Sequence, residues 1–280
     1  MIRAGQKHIL KVNRISDFGL YLANEEGDEV LLPNRYVSLT QQEGDEVEVF
    51  VYHDSEDRLV ATTEQPNGMV GQVAYMKVVD KNAHGAFLDW GLFGKDLFLP
   101  NRNQQGGIIV GDSVVVALYE DNITGRCVAT TKLKSYIHNE VIGVEPRDMV
   151  GVLVASESEI GFRCIINHRY WGMLYKNQLF RPVKVGDLLV AYVKKITEDN
   201  RIDLTLHQQG FTEVKNSADT LRKLLRENGG ELPINDNSDP KLVAEVTLMS
   251  KKLFKRSLGV LLKSGEVQMT DSGIKLIEAE

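Results

Sequence analysis

The chain has 280 residues, 42% of them hydrophobic and 26% charged, with a formal net charge of −6. That length suits two to four compact units, and the composition is that of a globular chain able to bury a core in each. No apolar run approaches the roughly 18 residues of a membrane span, and the opening "MIRAGQKHIL" lacks the apolar stretch and cleavage site of a signal peptide; a cytoplasmic protein with no membrane partner is expected.

The charge is uneven. Residues 1–70 hold 6 Lys+Arg against 13 Asp+Glu, residues 71–147 hold 8 and 8, residues 148–210 hold 8 and 7, and residues 211–280 hold 11 and 11. The acidity lies in the first quarter, and the remainder can present local basic patches to a polyanion. Cys127 and Cys164 sit in strand-like runs without metal-ligand spacing, so they read as buried, reduced thiols.

Along the chain, short strands alternate with turn signals. "VLLPNR" ending at Arg35 returns as "LFLPNR" ending at Arg102, "EGDEVEVFVY" as "VGDSVVVALY", and "RLVATT" from Arg58 as "RCVATT" from Arg126. Gly19 meets Gly85 in the same way. Offsets of 66 to 68 residues define an internal repeat. A looser third copy follows, with Gly161, the "VGD" at Val185 and "RIDLTL" at Arg201, after a linker candidate "KSYIHNEVIGVEPRD". In "DEVEVFVY", Val47, Val49 and Val51 alternate with Glu46, Glu48 and Phe50, a strand with one buried face. The glycine of each copy falls in the second strand, where it is expected to permit a bend or bulge. Five short strands per copy describe a small closed Greek-key barrel of the OB type. "LPNR" marks the end of a third strand and the start of a short helix, with contact of Arg35 and Arg102 to phosphate as the alternative to a purely structural role.

After residue 211 the pattern becomes helical. "SADTLRKLLRENGG" has Ser217 as N-cap candidate, "SDPKLVAEV" has Ser238 with Pro240 in its first turn, and "SKKLFKRSLGVLLKSG" has Ser250. "EVQMTDSGIKLIE" reads as a hairpin around Asp271, Ser272 and Gly273. The set describes a winged helix. On the third helix Lys251, Lys252, Lys255, Arg256 and Lys263 share one side with Gly259, opposite Leu253, Phe254, Ser257, Val260 and Leu261. Such a face can lie on a phosphate backbone, or dock against the acidic first repeat, in cis or in a partner. The fold expected is therefore mainly β with a C-terminal α+β unit: OB barrels at 1–65, 66–134 and 147–208, then a winged-helix domain at 212–280.

The second copy, "GAFLDWGLFGKDLFLP" followed by "VGDSVVVALY", resembles the S-one-type RNA-binding domain; the first copy resembles it well and the third more loosely. In that family aromatics on the second strand and a His on the third stack bases, which implies Phe18 and Tyr21 in the first copy and His84 and Phe87 in the second. Pro33 and Pro100 replace the third-strand His, and proline neither stacks as an aromatic ring does nor donates a backbone hydrogen bond. The third copy loses the aromatic pair but places Tyr175 and Lys176 at the His position, with Arg163, Tyr170, Trp171 and Arg201 around them. Aromatics interleaved with cations suit a single-strand groove; core or inter-domain packing of Tyr170 and Trp171 is the competing reading. The whole order, with "GGELPINDNSDP" and "MSKKLFKRSLGVLLKSG", resembles the conserved virulence factor B family of Gram-positive bacteria, which implies an RNA-binding regulator of gene expression rather than an enzyme.

"QQGGIIVGD" lacks the lysine and spacing of a phosphate loop, and the six histidines, His168 and His207 among them, are scattered, so no catalytic residue, metal or cofactor is expected. Asp54 and Arg58 match a pair that contacts RNA in the S-one-type family and equally an exposed ion pair. Three functions follow: a single-stranded RNA binder, with residues 148–280 carrying most of the affinity; a duplex-DNA-binding regulator using the winged helix; or a protein-interaction scaffold on a ribosome or nuclease.

Overall fold

In a computed structural model the chain forms three closed five-stranded barrels and a C-terminal helical unit with a small sheet. The structure describes residues 1–179, 181–206, 211–270 and 272–277, with side chains in the helix that begins at Phe211 described from Ser217 onward. The chain divides into two compact units, residues 1–138 with 168–170, and residues 139–167 with 171–280.

The first barrel comprises β1 (Gln6–Ser16), β2 (Gly19–Ala23), β3 (Glu29–Pro33), β4 (Glu46–His53) and β5 (Leu59–Thr62). The second comprises β6 (Val73–Lys81), β7 (Gly85–Leu92), β8 (Lys95–Pro100), β9 (Ser113–Glu120) and β10 (Cys127–Thr130). The third, in the second unit, comprises β11 (Met149–Glu157), β12 (Gly161–Ile166), β13 (Tyr170–Tyr175), β14 (Leu188–Ile196) and β15 (Ile202–Thr205). In each the first strand pairs with both the second and the fourth, and the third pairs in parallel with the fifth, which closes the barrel.

The bend expected at the repeated glycine is elsewhere. A register shift falls on the first strand of every barrel, between Val12 and Arg14, between Val78 and Asp80, and between Val154 and Ser156, with further shifts between Leu88 and Leu92 of β7, away from Gly85, and between Val193 and Lys195 of β14. The first-strand bulges curl that long strand so that it can serve two neighbours. The glycines serve a close approach instead. A Cβ on Gly19, Gly85 or Gly161 would press into the backbone carbonyl of Leu32, Leu99 or Leu174 on the adjacent third strand. The "LPNR" motif completes that contact. Pro33 and Pro100 lie opposite the glycines, and each is followed by a 3-10 turn, Asn34–Tyr36 or Asn101–Asn103. The Asn34 side chain donates to Asp17 O at 2.6 Å and the Asn101 side chain to Ala83 O at 2.7 Å. Each amide thus pins the turn that enters the second strand.

β4 is buried on both faces at its end. Val47, Val49 and Val51 fill the first barrel, while Phe50 and Tyr52 point outward into a core shared with the second. There Trp90 packs edge-on against Phe50 (5.5 Å between centroids) and Tyr52 (6.4 Å), and its indole N–H donates to Gly68 O at 2.9 Å. The candidate linker is packed as well: Tyr136 lies 5.7 Å from Tyr119, Ile137 is buried, and Asn139 donates to Trp171 O and Asn200 O in the second unit.

The terminal unit comprises α1 (Phe211–Glu227), β16 (Glu231–Leu232), α2 (Pro240–Thr247), α3 (Lys251–Lys263), β17 (Val267–Met269) and β18 (Ile274–Leu276). α1 begins six residues before Ser217, because "FTEVKN" contains no Pro or Gly to stop a helix and serine is tolerated in the interior. Asp239, not Ser238, caps α2 by accepting from Lys241 N–H at 2.7 Å; the Ser238 hydroxyl accepts from Asn235 N–H. Ser250 caps α3 as expected. β17 and β18 form the hairpin, with Asp271 of its turn outside the described residues, and β16 adds a third strand too short to be read from sequence.

Replacing Trp90 with alanine removes the ring that joins the first two cores. We expect a loss of about 3–5 kcal/mol, the usual cost of truncating a buried aromatic, in urea unfolding followed by far-UV circular dichroism.

Candidate nucleic-acid interface

The antiparallel pairing of β7 and β8 sets Phe87 directly opposite Phe98, with ring centroids 5.3 Å apart and both rings half-buried. His84 is exposed in the preceding turn, held by Asn82, whose side-chain oxygen accepts from the N–H of His84 (2.8 Å) and Gly85 (3.1 Å). These rings line a cleft of about 310 Å³ that also receives Lys95, Arg126 and His53. Burial, with Arg126 nearby, lowers the pKa of Lys95, whose ammonium donates to Asp54 O at 3.2 Å. His84 and Phe87 are thus brought together. Phe98, Lys95, Arg126 and His53 are the members that sequence reasoning missed. Phe98 carried a signal: in "KDLFLP" the leucines Leu97 and Leu99 alternate inward, which turns Phe98 outward.

The repeated arginines have internal partners. Arg102 pairs with Asp121 at 3.0 Å, and backbone N–H groups of Thr124 and Ile123 hold that carboxyl below its usual range. Arg35 lies over the rings of Tyr36 and Phe93 at 4.7 and 5.3 Å. Asp54 and Arg58 form a two-pronged pair inside one turn, at 3.0 and 2.7 Å.

On the first barrel Phe18 is 74% exposed in the turn before β2, but Tyr21 is covered. The Arg14 guanidinium sits 3.4 Å from its ring centre and is held there by Glu29 at 3.2 Å. A groove on this barrel is lined by Glu25, Glu26, Glu43 and Glu46, which repel a phosphate chain.

On the third barrel Arg163 stacks over Trp171 at 3.7 Å, and burial lowers its pKa. Tyr170 is half-buried at the start of β13. The Tyr175 hydroxyl donates to Asp203 at 3.1 Å, Lys176 pairs with Glu157 at 2.6 Å, and Arg201 pairs with Asp199 at 2.7 Å. Of this set, Arg163 and Trp171 form a stacked pair. Burial pushes the thiols of Cys127 and Cys164 up to about 12, which makes them inert structural groups. His168 is exposed, and His207 lies outside the described residues. Among the described residues no cluster of three or more His, Cys, Asp and Glu side chains could hold a metal.

On α3, Leu253, Phe254, Ser257, Leu258 and Leu261 face the core. Val260, expected on that face, is 41% exposed, and Leu262 emerges beside the cations at 37%, because Leu258 is buried in place of Val260 and the buried arc is turned by about 30°. Lys252, Arg256 and Lys263 are exposed with no acidic partner among the described residues. Lys255 lies 3.9 Å from Asp236, and Lys251 reaches Asn237 O at 3.4 Å. Behind α3, Arg222 of α1 binds Glu266 through two nitrogens, one at 3.0 Å.

Residues 4–64 and 70–132 match the S1 domain, and residues 219–276 match the CvfB-like winged helix domain. The chain is therefore a multidomain protein assembled from two kinds of nucleic-acid-binding module. It is 29% identical to the Bacillus subtilis protein YitL over 95% of this chain and 91% of that one. It is 23% identical to conserved virulence factor B of Staphylococcus saprophyticus over 98% and 97%. A solved multidomain protein with nucleic acid binding domains from Streptococcus pneumoniae aligns over 98% of either chain at 21% identity, with a TM-score of 0.42. In domain content and along nearly its whole length the chain is similar to the conserved virulence factor B proteins. Among the described residues no helix is long and apolar enough to cross a membrane.

The Arg222 guanidinium, with Ser264, draws the Glu266 carboxyl from 4.5 down to about 2. A carboxylate depressed in the folded state stabilises above its unfolded value and loses that contribution as pH falls from 4.5 towards 2. The Glu266→Gln variant is expected to melt at lower temperature at neutral pH, with the gap to the wild type closing across that window in thermal scans.

Proposed function

We propose that the chain is a non-catalytic regulator of gene expression that binds single-stranded RNA in the cytoplasm. The observation that carries this reading is the pairing of Phe87 and Phe98 in one cleft with Lys95 and Arg126, on a barrel of the S1 class. Ring faces accept bases of any sequence, and cations beside them accept phosphate. His84 extends the same face. On the third barrel the guanidinium of Arg163, backed by Trp171, offers a second cationic plane for a base, with Tyr170 at its margin; Trp171 itself is covered by Arg163, and Tyr175, Lys176 and Arg201 are engaged by Asp203, Glu157 and Asp199. Lys251, Lys252, Lys255 and Arg256 on α3 supply a sequence-independent phosphate contact. Phosphate contacts position and base contacts specify, so most of the affinity is assigned to residues 148–280 and the base readout to the second barrel. Arg102 and Tyr21 are occupied by internal partners and drop out of the set; Phe18 stays exposed. Two unpaired cysteines support the compartment.

A second reading, duplex DNA bound through α3, is favoured by the exposed Lys252, Arg256 and Lys263 around an open Gly259. Fluorescence anisotropy of the full chain with labelled single-stranded RNA and duplex DNA across a salt series separates the two. RNA is expected to bind more tightly, and Phe87→Ala to cost about 1–3 kcal/mol of stacking with little change in salt slope. Charge reversal at Lys252 and Arg256 is expected to reduce the slope by about 0.7 for each phosphate that is no longer neutralised. Preference for duplex DNA, unaffected by Phe87→Ala, would favour the second reading.

A further inference from the structure

The cleft on the second barrel is not built by that barrel alone. His53, the last residue of β4 in the first barrel, lines it, and its Nδ1 is buried without a hydrogen-bond partner among the described residues. The turn after β4 continues along the rim. Asp54 supplies the carbonyl that holds Lys95, and Asp57, with a left-handed φ of 63°, forms an ion pair with Arg126. Both members of that pair are 54% exposed. The turn is stiff, because the Asp54 carboxylate also accepts from the backbone N–H groups of Glu56 and Arg58, at 2.8 and 3.0 Å.

Comparison of the repeats shows how Arg126 became available. Its counterpart in the first copy, Arg58, is bound by Asp54 of its own turn. In the second copy the matching Asp121 binds Arg102 instead, so Arg126 is released from its own barrel and meets Asp57 of the other. The cleft, at about 310 Å³, lies at the lower end of the roughly 300–1,000 Å³ that small-ligand sites occupy. That is room for one nucleotide and not for a run of stacked bases. It has aromatic rings at one wall and cations at its rim.

We propose that the cleft between the first two barrels holds a single nucleotide of the bound strand, its base on Phe87 and Phe98 and its phosphate on Arg126, and that Asp57 restrains Arg126 until phosphate displaces it. The proposal rests on the single-stranded RNA reading above. An exposed ion pair contributes little to stability, whereas the guanidinium offers phosphate a two-pronged, charge-assisted contact; the exchange therefore favours the bound strand. The first barrel acts here as one wall of its neighbour's site.

The test uses the full chain with a short labelled single-stranded oligouridine at constant salt. Asp57→Asn, which keeps a residue tolerant of the left-handed conformation, is expected to tighten binding by about two- to five-fold, the scale of a released surface pair. Arg126→Gln is expected to weaken binding about ten-fold, the scale of one charge-assisted contact. The double variant should bind no more tightly than Arg126→Gln alone, since Asp57 acts through Arg126. Circular dichroism melts confirm that both exposed substitutions leave the fold intact. If the wild type binds the oligonucleotide and Asp57→Asn leaves affinity unchanged or weakened, or still tightens binding in the Arg126→Gln background, the restraint is overturned while RNA binding stands. A wild-type chain that binds no single-stranded RNA overturns the functional reading and this inference with it.

Discussion

Each barrel depends on one place where two backbones come closer than any side chain allows. Gly19, Gly85 and Gly161 open the second strand against the carbonyls of Leu32, Leu99 and Leu174. That approach draws the end of the third strand beneath the turn that precedes the glycine, and the amides of Asn34 and Asn101 fasten the turn to it. Phe18 and His84 sit in those turns. The repeated "LPNR" is thus first a device for holding a loop at the barrel mouth. Its proline carries no N–H that must be paired, its asparagine ties the turn, and its arginine is held by neighbours, Asp121 for Arg102 and two rings for Arg35.

From that shared scaffold the copies diverge in chemistry. The first lines a groove with four glutamates and caps Tyr21 with Arg14. The second leaves Phe87 and Phe98 open beside Lys95 and Arg126. The third pairs Lys176, Lys195 and Arg201 with its own carboxylates and keeps Arg163 on Trp171. Exposed cations gather on α3. An arrangement of modest sites along one chain gains affinity through effective concentration once the first site engages. Trp90, wedged against Phe50 and Tyr52, makes the first two barrels one body, so a residue of the first can furnish a wall for the second.

The strands were legible because period-two alternation and turn residues recur at a nearly constant offset. Phe50 and Tyr52 also carried a message in their letters: an apolar run on both faces of β4 means a strand covered on both sides. What could not be read were contacts set by distance in space. Nothing in the sequence ties Lys176 to Glu157, Arg126 to Asp57 or Tyr21 to Arg14, yet these decide which candidate groups are open to a ligand. Phe98 was readable from its leucine neighbours. The cap of α2 moved by one residue because Asp239 and Ser238 are both good caps, and geometry alone selects between them.

The most direct test of the central claim is ultraviolet crosslinking of single-stranded RNA to the full chain, with the linked residues identified by mass spectrometry. The account predicts crosslinks on the peptides that carry His84, Phe87 and Phe98, accompanied by contacts along α3. Crosslinks confined to the first barrel, with none on the cleft of the second, would contradict it.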